Sequence, residues 1–236
     1  MFGQQGLKFS FASGKLALQC RQSGDEWLYS RTCGTDRIEK LLTVSPDAAI
    51  TINPVEPVNL PLEIAHHLEI VFPQIVMGPG QKKTVYLKFP VEIGVFLQSG
   101  NDISVIDIFS QNPTKYSLYG KPVTGLITRY YESGIYAEIP GTDRFYEGVI
   151  TLLIDNTSAS AVEVSRVVLE CHTMKLFYGD RVGMRATMQI ASSALAITSF
   201  DSVAPEGCPN RAIDLYTSRK LPIIPGQDFY MDSGVA

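Results

Sequence analysis

Apolar and polar positions alternate with a period of two along most of this chain, so the sequence predicts strands nearly everywhere. The alternation, enriched in β-branched and aromatic residues, covers positions 15–20, 27–31, 49–52, 67–72, 84–97, 103–109, 123–131 and 135–139. It continues through 147–155, 161–170, 174–178, 184–191 and 195–200. Turn signals such as Gly78-Pro79-Gly80, Ser99-Gly100-Asn101, Asp155-Asn156-Thr157-Ser158 and Tyr178-Gly179-Asp180 separate these runs. No long helical period with caps interrupts the pattern.

Short strands with a turn every 8 to 12 residues or so argue for sandwiches or barrels rather than a parallel sheet with crossover helices. The expected fold class is therefore all-β: two immunoglobulin-like antiparallel β-sandwich domains with an extended C-terminal tail. Gly and Pro interrupt the strand pattern at Tyr119-Gly120-Lys121-Pro122, which divides the chain into 1–120, 121–204 and a tail, 205–236. The stretch GVITLLIDNTSASAVEVSRVVLE reads as a hairpin, its second strand placing Val162, Val164 and, after Arg166, Val168 on one face. The tail is rich in Pro and Gly yet carries Leu221, Ile223, Ile224, Phe229 and Tyr230, and is expected to lie extended against the body.

Composition narrows the function more than it names it. The chain has 236 residues, 45% of them apolar and 19% charged, a globular balance far from that of disorder. Its 20 Lys and Arg against 24 Asp and Glu leave a net charge of -4 with no basic stripe, so no nucleic acid partner is expected. No apolar run reaches the roughly 18 residues of a spanning helix, and the start MFGQQGLKFSFASGK lacks the basic opening and apolar core of a signal peptide. A cytoplasmic location follows as the expectation, in which Cys20, Cys33, Cys171 and Cys208 are thiols. Cys20 and Cys33 are the pair that a hairpin would bring together in an oxidising compartment.

Two triplets stand out, Pro54-Val55-Glu56 and Pro90-Val91-Glu92. Their flanks differ, so the echo reads as chance. Glu56, between prolines, is expected to be an exposed linker charge. Glu92 lies in LKFPVEIGVFLQSG, where a period of two puts Phe89, Val91, Ile93 and Val95 on one face and Pro90, Glu92, Gly94 and Phe96 on the other. A carboxylate on such a semi-apolar face is paired, hydrogen-bonded or raised in pKa, and a structural pair with Arg or Lys is the commoner outcome than a functional acid.

The densest polar and aromatic stretch is NDISVIDIFSQNPTKYSLYGKPVTGLITRYYESGIY. Asp107, Lys115, Tyr116, Tyr119, Arg129, Tyr130 and Tyr131 are its candidate ligand-binding residues, placed near the expected domain junction, with Glu92 as an added acid. Phenols, an acid and a guanidinium together suit a sugar, a nucleotide or a peptide carboxylate. The competing reading is that strand tyrosines pack their rings inward and hold their hydroxyls at the rim.

Standard catalytic motifs fail one by one. GPGQKKT lacks the Walker spacing and joins strands, so it is a hairpin turn. Adjacent His66 and His67 point to opposite faces of a strand and His172 follows Cys171, which is no zinc spacing. There is no GxSxG elbow and no cysteine signature with an assigned histidine. No cofactor, metal or catalytic residue is expected.

The combination PVEPVNLP, PGQKKTVYLKFPVEIGVFL and FSQNPTKYSLYGKPVTGLITRYY resembles an archaeal family known as domain of unknown function 432, over most of the chain. The resemblance implies an archaeal, cytoplasmic protein and brings no activity or site residues with it. The function expected from the sequence is a non-enzymatic protein-interaction or assembly module, its partner another protein or itself as a homodimer. The alternative is binding or hydrolysis of a small molecule or carbohydrate in a cleft between the two halves.

Overall fold

The computed structural model describes residues 1–215 except Pro46, Leu62 and Asn101, and the chain is all-β. The first strands are β1 (Gly3–Gln5), β2 (Phe9–Ser13), β3 (Leu16–Ser23), β4 (Glu26–Cys33), β5 (Asp36–Leu42) and β6 (Ala49–Val55). Then come β7 (His67–Met77), β8 (Lys82–Pro90), β9 (Glu92–Ser99), β10 (Asp102–Ser110), β11 (Tyr116–Tyr119) and β12 (Leu126–Glu132). The last are β13 (Glu147–Asn156), β14 (Val162–Glu170), β15 (Phe177–Tyr178), β16 (Val182–Ser192), β17 (Leu195–Phe200) and β18 (Asn210–Arg211), with a 3-10 turn at Cys171–Thr173.

These strands form four sheets: β1-β6-β9-β10, the meander β2-β3-β4-β5, β11-β12-β7-β14, and β18-β15-β16-β13-β8 with β17 on β16. The meander shows the local logic most plainly. Leu16, Leu18 and Cys20 are buried while Ala17, Gln19 and Arg21 are exposed, the period-two pattern of a sheet covered on one side. Its three turns carry Gly14, Gly24 and Gly34 at φ of 59°, 65° and 63°, the left-handed geometry that two-residue hairpin turns require.

All four sheets share one core, which takes Leu18 and Tyr29 from the meander, Ile52 and Ile93 from the first sheet, Leu68 and Val164 from the third, and Leu87 and Ile150 from the fourth. Strand pairing runs across the interruption at Tyr119–Pro122: β8 pairs with β13, and β7 with both β12 and β14. Two pairings, β7 with β12 and β13 with β16, are parallel where antiparallel neighbours were expected. Parallel neighbours need a long crossover, and here the crossovers carry further strands instead of helices.

Other local expectations change for identifiable reasons. The expected hairpin of residues 147–170 does not form, because β13 already has β8 on one side and β16 on the other, which sends β14 to a different sheet beside β7. The run 84–97 divides at Val91 into β8 and β9, which belong to different sheets, with Pro90 ending the first. Residues 135–139 contribute a single bridge, Tyr86 to Tyr136. Cys20 lies opposite Tyr29 and Cys33 opposite Leu16, so the hairpin holds the two cysteines apart, and all four cysteines are free.

A second, smaller apolar cluster joins Val55, Phe96 and Leu215. It covers the face of β9 that carries Glu92, Gly94 and Phe96, while Val91, Ile93 and Val95 enter the main core, as the alternation predicted. A Cβ on Gly94 would come within 2.6 Å of the Val55 side chain, so glycine here permits the close approach of β6. Residues 221, 223, 224, 229 and 230 of the tail lie outside the described residues.

Candidate functional site: a buried guanidinium between two sheets

Tyr116 and Arg129 face each other across the β11–β12 pair, and the same row continues through Leu68 on β7 to Leu169 on β14. Leu68 and Leu169 are fully buried, so Arg129 occupies a core position in a row otherwise apolar toward its centre. Arg129 is 1% exposed, and none of its three guanidinium nitrogens has a hydrogen-bond partner. A buried polar group without a partner is costly, and a charged one more so.

The acidic counterpart comes from the neighbouring sheet. Glu92, fully buried at the start of β9, accepts the Asn59 backbone N–H at 2.9 Å on Oε2, while its Oε1 has no partner. Burial pushes the Glu92 carboxyl up to about 8, against the pull of the nearby Arg129 guanidinium and the Asn59 hydrogen bonds. Asn59 is itself buried; its Nδ2 donates to the Glu56 carbonyl oxygen, and its Oδ1 has no partner.

Glu56 corrects the sequence reading, for it is 2% exposed rather than a linker charge on the surface. The β6–β9 register places Val55 opposite Glu92, so the two Pro-Val-Glu triplets lie side by side and both acids enter one cluster. The Glu56 carboxylate accepts the Leu215 backbone N–H at 3.1 Å and 3.4 Å, which fastens the last described residue to the end of β6. Burial raises its pKa to about 8, helped by the charge of Asp214. The buried Cys171 thiol borders the same acids, and burial together with the charges of Glu56 and Glu92 pushes it well above the usual thiol range.

The segment 56–66 connects β6 to β7, and its Asn59 and Leu60 lie at this cluster. Tyr116, 37% exposed, donates its hydroxyl to the Leu60 carbonyl oxygen at 2.6 Å and so ties the crossing segment to β11. The hydroxyl is also near Arg129, whose charge offsets part of the upward push of burial on the phenol, without the alignment that a hydrogen bond requires. Pro61, Ile64 and His66 of the segment face outward.

The remaining candidates go elsewhere. Asp107 bonds the meander to β10: its Oδ2 receives the Tyr29 hydroxyl at 2.8 Å and Arg31 Nε at 2.7 Å, while Arg31 also reaches Asp36 at 2.7 Å and covers the Phe109 ring at 4.9 Å. Tyr131 donates to Glu147, which also holds Lys88 at 2.9 Å. Tyr130 donates to Glu132, Tyr119 is buried, and Lys115 is exposed with its carbonyl oxygen receiving the Tyr130 N–H. On the opposite face of β12, Glu69 accepts from Ser117, Thr128 and Arg166, a fully satisfied network.

A family description, protein of unknown function DUF432, matches residues 1–232. The chain belongs to that family. No curated protein and no solved structure matches it. For this DUF432 protein, then, the chemistry has to be read from its own side chains. Among the described residues no helix is long and apolar enough to cross a membrane, and no group of three or more His, Cys, Asp or Glu is placed to hold a metal ion. His66, His67 and His172 do come near one another, and burial followed by their mutual repulsion lowers His67 to about 4.

Glu92, Tyr116 and Arg129 are the sequence candidates that meet. Glu56, Asn59 and Cys171 were missed as members. Asn59 is held by a turn within PVEPVN, where the Glu56 carbonyl oxygen also accepts the Val58 N–H at 2.8 Å; the proline-flanked run was the signal for that rigid turn.

Proposed function

We propose that this DUF432 protein is a binding protein for a small carboxylate, taken on Arg129 between the two sheets and beside the 56–66 segment. The observation that carries this reading is Arg129 itself, nine-tenths and more buried with all three nitrogens unpartnered. A guanidinium presents its N–H donors in a planar fork that matches a carboxylate in two parallel hydrogen bonds. A carboxylate carries one charge, which the guanidinium alone can match. The test is a titration of the chain with acetate through hexanoate, with inorganic phosphate as the control, followed by backbone NMR. Saturable shifts at Asn59, Leu60 and Arg129 with the carboxylates, absent in Arg129→Met, are the expected result. Shifts that neither saturate nor depend on Arg129 would sink the reading.

A second reading, association with another protein or with a second copy, draws on a different observation. Leu118 and Ile127 oppose each other on β11 and β12, and are 48% and 52% exposed beside the edge of that sheet. An exposed edge strand with apolar side chains is a template for strand addition. Sedimentation of the wild-type chain against Leu118→Lys tests it: a monomer at all concentrations, unchanged by the substitution, would remove self-association.

A further inference from the structure

The unpartnered atoms of the site divide by chemistry. On the β12 side stand the three guanidinium nitrogens of Arg129, which only donate; on the β9 side stand Glu92 Oε1 and Asn59 Oδ1. The orientation of the Asn59 amide is fixed, because its Nδ2 gives its hydrogen to the Glu56 carbonyl oxygen, an atom that can only accept. Oδ1 is therefore an acceptor and nothing else. Glu92 is fixed too, since Oε2 is held by the Asn59 N–H at 2.9 Å and leaves Oε1 as the open oxygen. Glu56 is not open, for its carboxylate is engaged by the Leu215 N–H.

A plain carboxylate answers only half of this set. It satisfies Arg129 and brings no donor to Asn59 Oδ1 or to Glu92 Oε1. We infer that the ligand is a zwitterion, a small carboxylate with an ammonium beside it of the kind a free α-amino acid presents, with the carboxylate on Arg129 and the ammonium between Glu92 Oε1 and Asn59 Oδ1. The inference rests on the reading of Arg129 as the carboxylate anchor and adds the second half of the recognition. A hydroxyl in place of the ammonium would donate as well, but it carries no charge to set against Glu92.

Proton linkage supports the same assignment. Burial holds the Glu92 carboxyl up to about 8, so near neutral pH it carries a proton in the free protein. An ammonium placed against Oε1 favours the carboxylate, and binding then releases that proton to solvent. The Tyr116 hydroxyl holds Leu60 beside this site.

The deciding experiment is calorimetry on the full chain with each common amino acid and three counterparts of each: the N-acetyl derivative, the α-hydroxy acid and the decarboxylated amine. At least one amino acid is expected to bind about tenfold more tightly than all three of its counterparts, as loss of a charge-assisted hydrogen bond predicts. Titrations in buffers of different protonation enthalpy at neutral pH should show proton release. Glu92→Gln should abolish that release and most of the preference for the ammonium while leaving carboxylate binding in place. Equal binding of the N-acetyl derivative or the hydroxy acid would overturn the zwitterion and leave the carboxylate anchor standing. Absence of binding by every carboxylate would overturn both, leaving a site filled by water only. These comparisons are made on the wild-type chain and hold even if a variant fails to fold.

Discussion

Two arginines among the described residues are buried on strands, and they are buried in opposite ways. Arg31 sits on β4 among Asp107, Asp36, the Tyr29 hydroxyl and the Phe109 ring, and its charge is matched by two carboxylates, at Nε and at Nη1. Arg129 sits on β12 at 1% exposure and is matched by nothing within hydrogen-bonding geometry, although Glu92 and Tyr116 are close. Burial alone therefore does not distinguish the two; satisfaction of their hydrogen-bonding groups does. The Arg31 centre holds the meander to β10 with its charge paired, whereas the Arg129 centre keeps its donors unspent.

The largest expected effect lies on the Arg31 side. Arg31→Met leaves Asp107 buried with only the Tyr29 hydroxyl, and breaking a buried pair in this way costs about 3–5 kcal/mol, to be read from urea unfolding. Next comes a pH dependence that belongs to the other centre. Burial raises Glu92 and Glu56 to about 8, so the folded protein holds protons that the unfolded chain has released above its ordinary carboxylate pKa. Stability from these groups is complete below about pH 4 and declines as pH rises toward 8. Unfolding at pH 5 and pH 8.5 should show that decline, and Glu92→Gln should flatten it.

Arg129→Met supplies the sharpest contrast with Arg31→Met, because in the absence of ligand it removes an uncompensated charge and should stabilise the fold by about 1–3 kcal/mol. A destabilisation as large as that of Arg31→Met would mean that Arg129 is paired in solution, and the contrast would be lost. The smallest effect is at Tyr116→Phe. The hydroxyl is partly exposed, so the global cost is about 0.5 kcal/mol, while amide exchange in the 56–66 segment should quicken with the sheets unchanged.

How far the sequence foretold these centres follows from the range of each contact. The alternation located most strands because a half-covered strand shows its burial pattern locally. The meander's outer strands β2 and β5 were missed although Gly14, Gly24 and Gly34 repeat at even spacing, a hairpin signal in plain view. Tyr116 and Arg129 were legible as neighbours because a single antiparallel pair joins them. Asp107 was grouped with them wrongly, since its partners Tyr29 and Arg31 stand 78 and 76 residues away on another sheet. Glu56 was misread for the same reason: its carboxylate is held by the Leu215 backbone, 159 residues on, and no local pattern announces such a contact.

The 56–66 segment beside Arg129 is also the connection from β6 to β7, two strands of different sheets. It is anchored in both walls of the site. A displacement of this connection therefore pulls on strands of both sheets. Should a ligand bind at Arg129, a pair of spin labels on β9 and β12 would read any change of spacing between the sheets as a distance.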